Sequence, residues 1–419
     1  MGRALLSVLW AAAGLVALAC RVARACESAL DCELNGLCES LEGRPGRCRC
    51  KPGWEGPTCG TLSLGAATRL WPPAASGPAA ALEPNRSAYA WGFSHLAPSA
   101  SDNYTSHAFV NVGCYLCAAG MVDGTLVAHV RAAAPQGPYE LVGVALPINA
   151  FNPHAVRRAD GSVALAFRSH TRDPATFAQC AGAEPRAPCG VNASEFAKRG
   201  ELSLALAPGP YGPWEVQPLR IEGWEHVHVS NPSLLELAQG AGALLAYRFD
   251  AEDCERVAVA RAASLRGPFR HLANLSTCGE DPFLWQDRHD SSLHMIFHVE
   301  DERAYGEWPS LHAFSADGGR TWGVSASPDR RGAYSTTVLY GEGEGEPGER
   351  FQRRERPELV LDLDGRPLWL LSAVMRSDTH QVASYCKWGY SFSLAQSVLP
   401  FPGMPASSSN SLSSSLSNS

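Results

Sequence analysis

The sequence has no excess of positive charge: 35 Lys and Arg stand against 42 Asp and Glu, a formal net charge of −7. Nucleic acid is not an expected partner, because binding it needs a basic surface to neutralise phosphates. Charge of either sign is sparse, at 18% of residues against 45% hydrophobic ones, so a chain of 419 residues can build a large core. A long apolar run is also missing. The run from Ala4 to Ala19 is short for a membrane span, and Arg21 and Arg24 stop it from extending. Behind Met1-Gly2-Arg3, and ahead of the small residues Ala23 and Ala25, it reads as a signal peptide over 1–25. Its cleavage would leave a secreted, extracellular protein with no membrane span. At the other end Ser407 to Ser419 is almost all Ser, Asn and Leu, with no apolar tail to signal a lipid anchor. Residues 401–419 read as a disordered tail.

The residues that are abundant fit that compartment and an all-β fold. The 39 Gly and 30 Pro suit a turn-rich protein. Of 14 cysteines, Cys20 would leave with the signal. N-x-Ser/Thr sequons at Asn85, Asn103, Asn192 and Asn274 mark glycosylation sites; Asn231-Pro232-Ser233 is excluded by its proline. Residues 61–84, rich in Ala, Pro, Gly and Ser, read as a linker with little structure of its own.

A phrase recurs beyond the linker. Asn152-Pro153, Asn231-Pro232, Asp281-Pro282 and Arg356-Pro357 each open an apolar strand, then a turn, then a second apolar strand. A unit starting near Trp91-Gly92 makes five. Gly137-Pro138-Tyr139, Gly212-Pro213-Trp214 and Gly267-Pro268-Phe269 end three of the units, and Ser315-Ala316-Asp317-Gly318-Gly319-Arg320-Thr321-Trp322 takes that place in the fourth. Each reads as a hairpin turn locked by an aromatic ring. Five such strand units at irregular spacing predict a five-bladed β-propeller over 85–400.

The amino-terminal segment needs staples, because Cys26, Cys32, Cys38, Cys48, Cys50 and Cys59 lie in a stretch too short to bury a core. Six cysteines allow fifteen pairings. The run Cys48-Arg49-Cys50-Lys51-Pro52-Gly53-Trp54-Glu55-Gly56-Pro57-Thr58-Cys59 resembles the second half of an epidermal-growth-factor-like module, placed here at 26–60. That resemblance implies the pairs Cys26–Cys38, Cys32–Cys48 and Cys50–Cys59, and an extracellular protein as a partner. No acidic cluster precedes Cys26, so calcium is not expected there. Proximity suggests Cys180–Cys189 and Cys254–Cys278, leaving Cys114, Cys117 and Cys386 without an assignment.

The propeller region resembles the five-bladed glycoside hydrolases of the arabinofuranosidase and xylosidase type. The likeness rests on Asn152-Pro153-His154, on Glu280-Asp281-Pro282-Phe283-Leu284-Trp285, on Arg354-Glu355-Arg356-Pro357 and on the Gly-Pro-aromatic turns. It implies a polysaccharide or glycan held in an axial pocket by the first residues of each repeat. Glycoside cleavage takes two carboxyl groups, one protonated and one ionised. The candidates are Glu280, Asp281 and Glu355, with Trp91, Asn152, His154, Asn231, Trp285 and Arg356 contacting sugar.

The sequence departs from that family where units two and three present Asn152 and Asn231, since an amide cannot serve as a base. Asp102 in the first unit could supply the missing acid, but it precedes the sequon Asn103-Tyr104-Thr105. Two readings survive: a secreted hydrolase, or a non-catalytic carbohydrate-binding or adhesion protein using the same pocket. No cofactor is implied. His226-Val227-His228 puts two rings on one strand face, but no third ligand is evident and no metal site is expected.

Overall fold

The computed structural model describes residues 25–41, 44–71, 89–113, 125–147, 150–170, 200–225, 227–299, 308–325, 331–340, 348–375 and 391–400. Five sheets succeed one another along the chain, antiparallel except where the short strand Ile221–Glu222 lies parallel to Phe269–Cys278 at the edge of blade three. Their inner strands are Tyr89–Leu96, Ala150–Arg157, Val229–Glu236, Glu280–Gln286 and Arg353–Leu361. These five touch one another in cyclic order, the fifth against the first, which makes the molecule a five-bladed β-propeller. The five units anticipated from the repeated phrase are the five blades.

The ring is closed by a strand the composition did not reveal. Leu64–Trp71, inside the stretch read as a linker, is the outer strand of blade five and pairs antiparallel with Ser391–Val398. Thr61–Leu62 likewise pairs with Trp54–Glu55. The first propeller strand in sequence thus bonds the last, so closure needs no edge-to-edge contact between complete blades.

The repeated phrase has one physical cause. In each inner strand a register shift interrupts the ladder, and the residue at the shift takes a left-handed backbone: Gly92, Asn152, Asn231, Asp281 and Arg356. An inserted residue of this kind bends a strand and re-aims its side chain. Asn and Asp tolerate that conformation better than most residues.

Two residues past four of the five bulges a side chain accepts a hydrogen bond from the next blade. Ser94 accepts from the Ala155 N–H (2.7 Å), His154 Nδ1 from Leu234 N–H (3.1 Å), Ser233 from Leu284 N–H (3.0 Å), and Glu358 from His95 N–H (2.5 Å). Four of the five blade interfaces are stitched in this way. At the equivalent position of blade four stands Phe283, which has no acceptor.

The amino-terminal module docks at that fifth interface. Its bridges are Cys26–Cys38, Cys32–Cys48 and Cys50–Cys59, the pairing that fits an epidermal-growth-factor-like module. Trp54 stacks on Trp285 and packs on His312, joining a buried cluster with Phe283, Leu359, Leu370 and Val398 from blades four and five. Around it Glu33 accepts from His312 (2.9 Å) and Ser325 (2.7 Å), while Lys51 pairs with Asp287 at 2.7 Å. The module is a fixed part of the propeller body.

The outer turns match the expected pattern. Tyr139 and Phe269 are buried beneath the Gly-Pro turns of blades one and three, and Trp214 is half-buried. In blade four Asp317 accepts from the Arg320 and Thr321 N–H groups, both at 2.9 Å, and Trp322 donates to the Gly319 carbonyl (3.0 Å). Among the described residues no helix is long and apolar enough to cross a membrane. Asn103 and Asn274 are exposed; Asn85 and Asn192 lie outside the described residues.

Candidate functional site

The bulge residues meet at the axis and bond one another. Asn152 donates to Asn231 Oδ1, and Asn231 donates to Asp281 Oδ1. Asp281 also accepts from the Arg356 backbone N–H (3.1 Å) and from its guanidinium (3.0 Å). Arg356 completes the ring against Gly92, where an added Cβ would lie 3.1 Å from Nε, so the glycine leaves room for the arginine. This girdle consumes most of the polar capacity of Asn231, Asp281 and Arg356. Asp281, 3% exposed and paired with a guanidinium, is a structural anion before it is a catalytic one.

One residue earlier in each inner strand stand Trp91, Phe151, Ser230, Glu280 and Glu355. Glu280 and Glu355 therefore enter the axial mouth from adjacent blades. Each of Glu280, Asp281 and Glu355 brings a carboxylate oxygen within 4.8 Å of the other two. Burial, then the neighbouring Asp281 charge, raises the Glu280 carboxyl above its usual range, and burial lifts Glu355 to about 7. Both glutamates are thus displaced toward their protonated forms.

Residues that sequence reading missed surround this pair. Arg353 donates to Glu355 (2.5 Å), His298 approaches Glu280 to 3.9 Å, and Arg248 approaches its other oxygen to 4.0 Å. Asn231 Nδ2 donates to Glu280 as well (3.1 Å). A signal existed: Arg248 lies near the end of the second strand of blade three and His298 ends that of blade four, opposite Ser230 and Glu280, so these two blades each offer a cross-strand pair at the mouth. The three carboxylates have the spacing of a cation site, yet Arg356 and Arg353 already supply positive charge to Asp281 and Glu355.

Other candidates fall elsewhere. His154 sits between blades two and three; its Nδ1 accepts from Leu234, so the proton is on Nε2, directed at Ser233 Oγ (3.3 Å). Burial lowers its pKa to about 3, which suits a neutral structural ring. Trp285 is not at the axis, since it stacks between Trp54 and His294 in the module interface. Trp91 is at the axial end but only 3% exposed, which leaves little ring face for a sugar. Asp102 cannot replace a missing acid: it lies in the turn after the inner strand of blade one, at the opposite end, bonded to Arg157. Cys254–Cys278 is formed, and Cys180, Cys189 and His226 lie outside the described residues.

No protein-family model matches the chain, and no curated protein sequence aligns with it significantly. Solved structures do match. Zg3597, a family 117 glycoside hydrolase produced by the marine bacterium Zobellia galactanivorans, superposes with a TM-score of 0.54 at 11% identity, over 81% of this chain and 90% of that one. A GH43_1 enzyme from Xanthomonas citri gives a TM-score of 0.44 at 14% identity (74% and 89% covered). An alpha-L-arabinofuranosidase from Lactobacillus brevis gives 0.44 at 8% (74% and 90%). The chain thus carries the five-bladed propeller fold found in glycoside hydrolases, with an amino-terminal disulfide module built into its side.

Proposed function

We propose that this is a secreted, carbohydrate-active protein that takes a polysaccharide or glycan at the axial mouth, with Glu280 and Glu355 as its proton-holding pair. The observation that carries the reading is the pair itself: two glutamates from adjacent blades, Glu355 buried and Glu280 partly exposed, whose carboxylate oxygens lie within 4.8 Å and whose proton affinity is raised. A carboxyl still protonated near neutral pH can protonate a departing glycosidic oxygen. Glu280, with its side chain 20% exposed, faces substrate; Glu355 and the arginines tune it.

A binding-only reading has one observation in its favour. Blades one and two present Trp91 and Phe151 where blades four and five present carboxylates, so the described residues offer no ionised base across the axis. Secretion is supported by the apolar segment within residues 1–25 and by the four bridges, which suit an oxidising compartment. The exposed Leu30 and Leu37 of the docked module would meet an extracellular protein partner.

The test is a screen of the purified protein on a polysaccharide array and on chromogenic glycosides, with Glu280→Gln and Glu355→Gln beside it. Sugar release that either variant abolishes while still binding supports hydrolysis. Binding without turnover by the wild type supports the second reading, and no binding at all sinks both.

A further inference from the structure

We infer that the Cys254–Cys278 disulfide is a positioning device for the axial glutamates: it fixes the backbone that delivers Glu280 to Glu355. This deepens the reading of the axial pair proposed above. Cys278 ends Phe269–Cys278, the fourth strand of blade three counted from the axis, and the chain passes through Gly279 directly into the inner strand of blade four. Cys254 lies in the turn joining the second and third strands of blade three, next to Glu255. The bridge thus ties a blade-three turn to the entry of the blade-four strand.

Three further contacts converge on that tie. The Gly279 N–H donates to the Glu255 carbonyl (2.8 Å), so the backbone beside each cysteine is joined as well. On the other side Gly279 is pressed against the second strand of blade four, where an added Cβ would lie 2.6 Å from the His298 carbonyl and 2.6 Å from the Phe297 ring. The strand entry therefore has no slack on that flank, and the bridge removes it on the opposite one. Finally, the same turn supplies Asp250 and Glu255, which both hold Arg248, and Arg248 reaches Glu280. Opening the bridge would free at once the backbone before Glu280 and the carboxylates that aim Arg248.

The bridge is also set apart from the others described. Each bridge of the amino-terminal module has one buried cysteine, Cys26, Cys32 or Cys59, whereas Cys254 and Cys278 are both half-buried. Burial of the two glutamates raises their proton affinity. A loosened turn admits water, which removes that cause.

The experiment is a carboxyl-carbon NMR titration of the full chain labelled at glutamate, comparing wild type with the Cys254→Ser/Cys278→Ser variant. The Glu355 resonance, titrating near 7 in the wild type, should fall by at least about one pH unit, a tenfold change in proton affinity. Glu358, at the seam between blades five and one, is the internal control and should keep its titration near 8. A Glu355 midpoint that moves no more than that of Glu358 in the folded variant overturns the proposal. If the variant does not fold, wild type is treated with a water-soluble phosphine, which gives the bridge two electrons and takes up oxygen as it is oxidised, while two protons complete the thiols. An unchanged Glu355 titration with Cys254 and Cys278 alkylated and the module's bridges intact overturns the proposal equally. No substrate is involved, so the positioning role and the carbohydrate reading stand or fall separately.

Discussion

Phe283 in blade four occupies the place that His154 holds in blade two: each is the second residue after a left-handed bulge, but only His154 accepts a hydrogen bond from the next blade. Where the stitch is absent the amino-terminal module is docked, and Phe283 packs in the same cluster as Trp54. Apolar burial has replaced a hydrogen bond at that seam. Trp54→Ala should therefore act on the propeller as a whole, costing about 3 to 5 kcal/mol as a buried aromatic truncation. Denaturant unfolding monitored by a probe in blade one checks it; an unchanged midpoint there would mean that the module unfolds on its own.

The stitches predict a second series. Ser233→Ala leaves the Leu284 N–H and the His154 Nε2–H without their acceptor in a buried seam, and should destabilise by about 1 to 3 kcal/mol. Ser94→Ala removes the acceptor of the Ala155 N–H and should fall in the same range. The two sites meet at consecutive residues of blade two, His154 and Ala155, so the double variant should depart from additivity by about 0.5 kcal/mol or more. Chemical denaturation of the four proteins measures this.

Glu358 gives the fold a dependence on alkaline pH. Burial raises its carboxyl to about 8, against 4.5 in the unfolded chain. Because the folded value is the higher, its contribution is fully present below about 4.5 and is lost as pH rises toward 8. Glu358→Gln keeps an acceptor for the His95 N–H without the titration, so it should gain on wild type as pH rises, on the order of 4 kcal/mol by pH 8 to 9. Parallel stability curves for the two proteins between pH 5 and 9 would refute this.

Buried histidines set the acid limb. Burial lowers His154 and His95 to about 3 and His129 to about 4, from 6.5. Their folded values are depressed, so the unfolded state takes up protons first and stability falls as pH drops from about 6.5 toward 3. Replacing His154 with Gln, which retains an acceptor, should shallow that limb. Thermal melts across pH 4 to 7 report the slope.

The axial pair predicts a pH profile for whatever the mouth does. Glu355 titrates near 7, so hydrolysis needing its proton should decline above neutral pH. Glu355→Gln should move that alkaline limb and not merely scale the rate. Rate measurements from pH 5 to 9 on a substrate found by the screen distinguish the two outcomes.

Sequence by itself determined the unit count, since a polar residue, a proline and an apolar strand recur four times and a fifth unit starts near Trp91-Gly92. It also carried the module's cysteine framework and the axial position of Glu280, Asp281 and Glu355, because residues at strand starts share one end of a propeller. Composition misjudged Leu64–Trp71: an Ala- and Thr-containing strand needs its partner Ser391–Val398 to be a strand at all, and that partner lies more than 300 residues away. Only tertiary structure decided that Asp281 is bound by Arg356 and Asn231, that Trp285 faces Trp54 and not the axis, and that His154 is a stitch. Each of these depends on which blade lies beside which, and a side chain's charge state and partners are fixed by neighbours that the order of residues does not name.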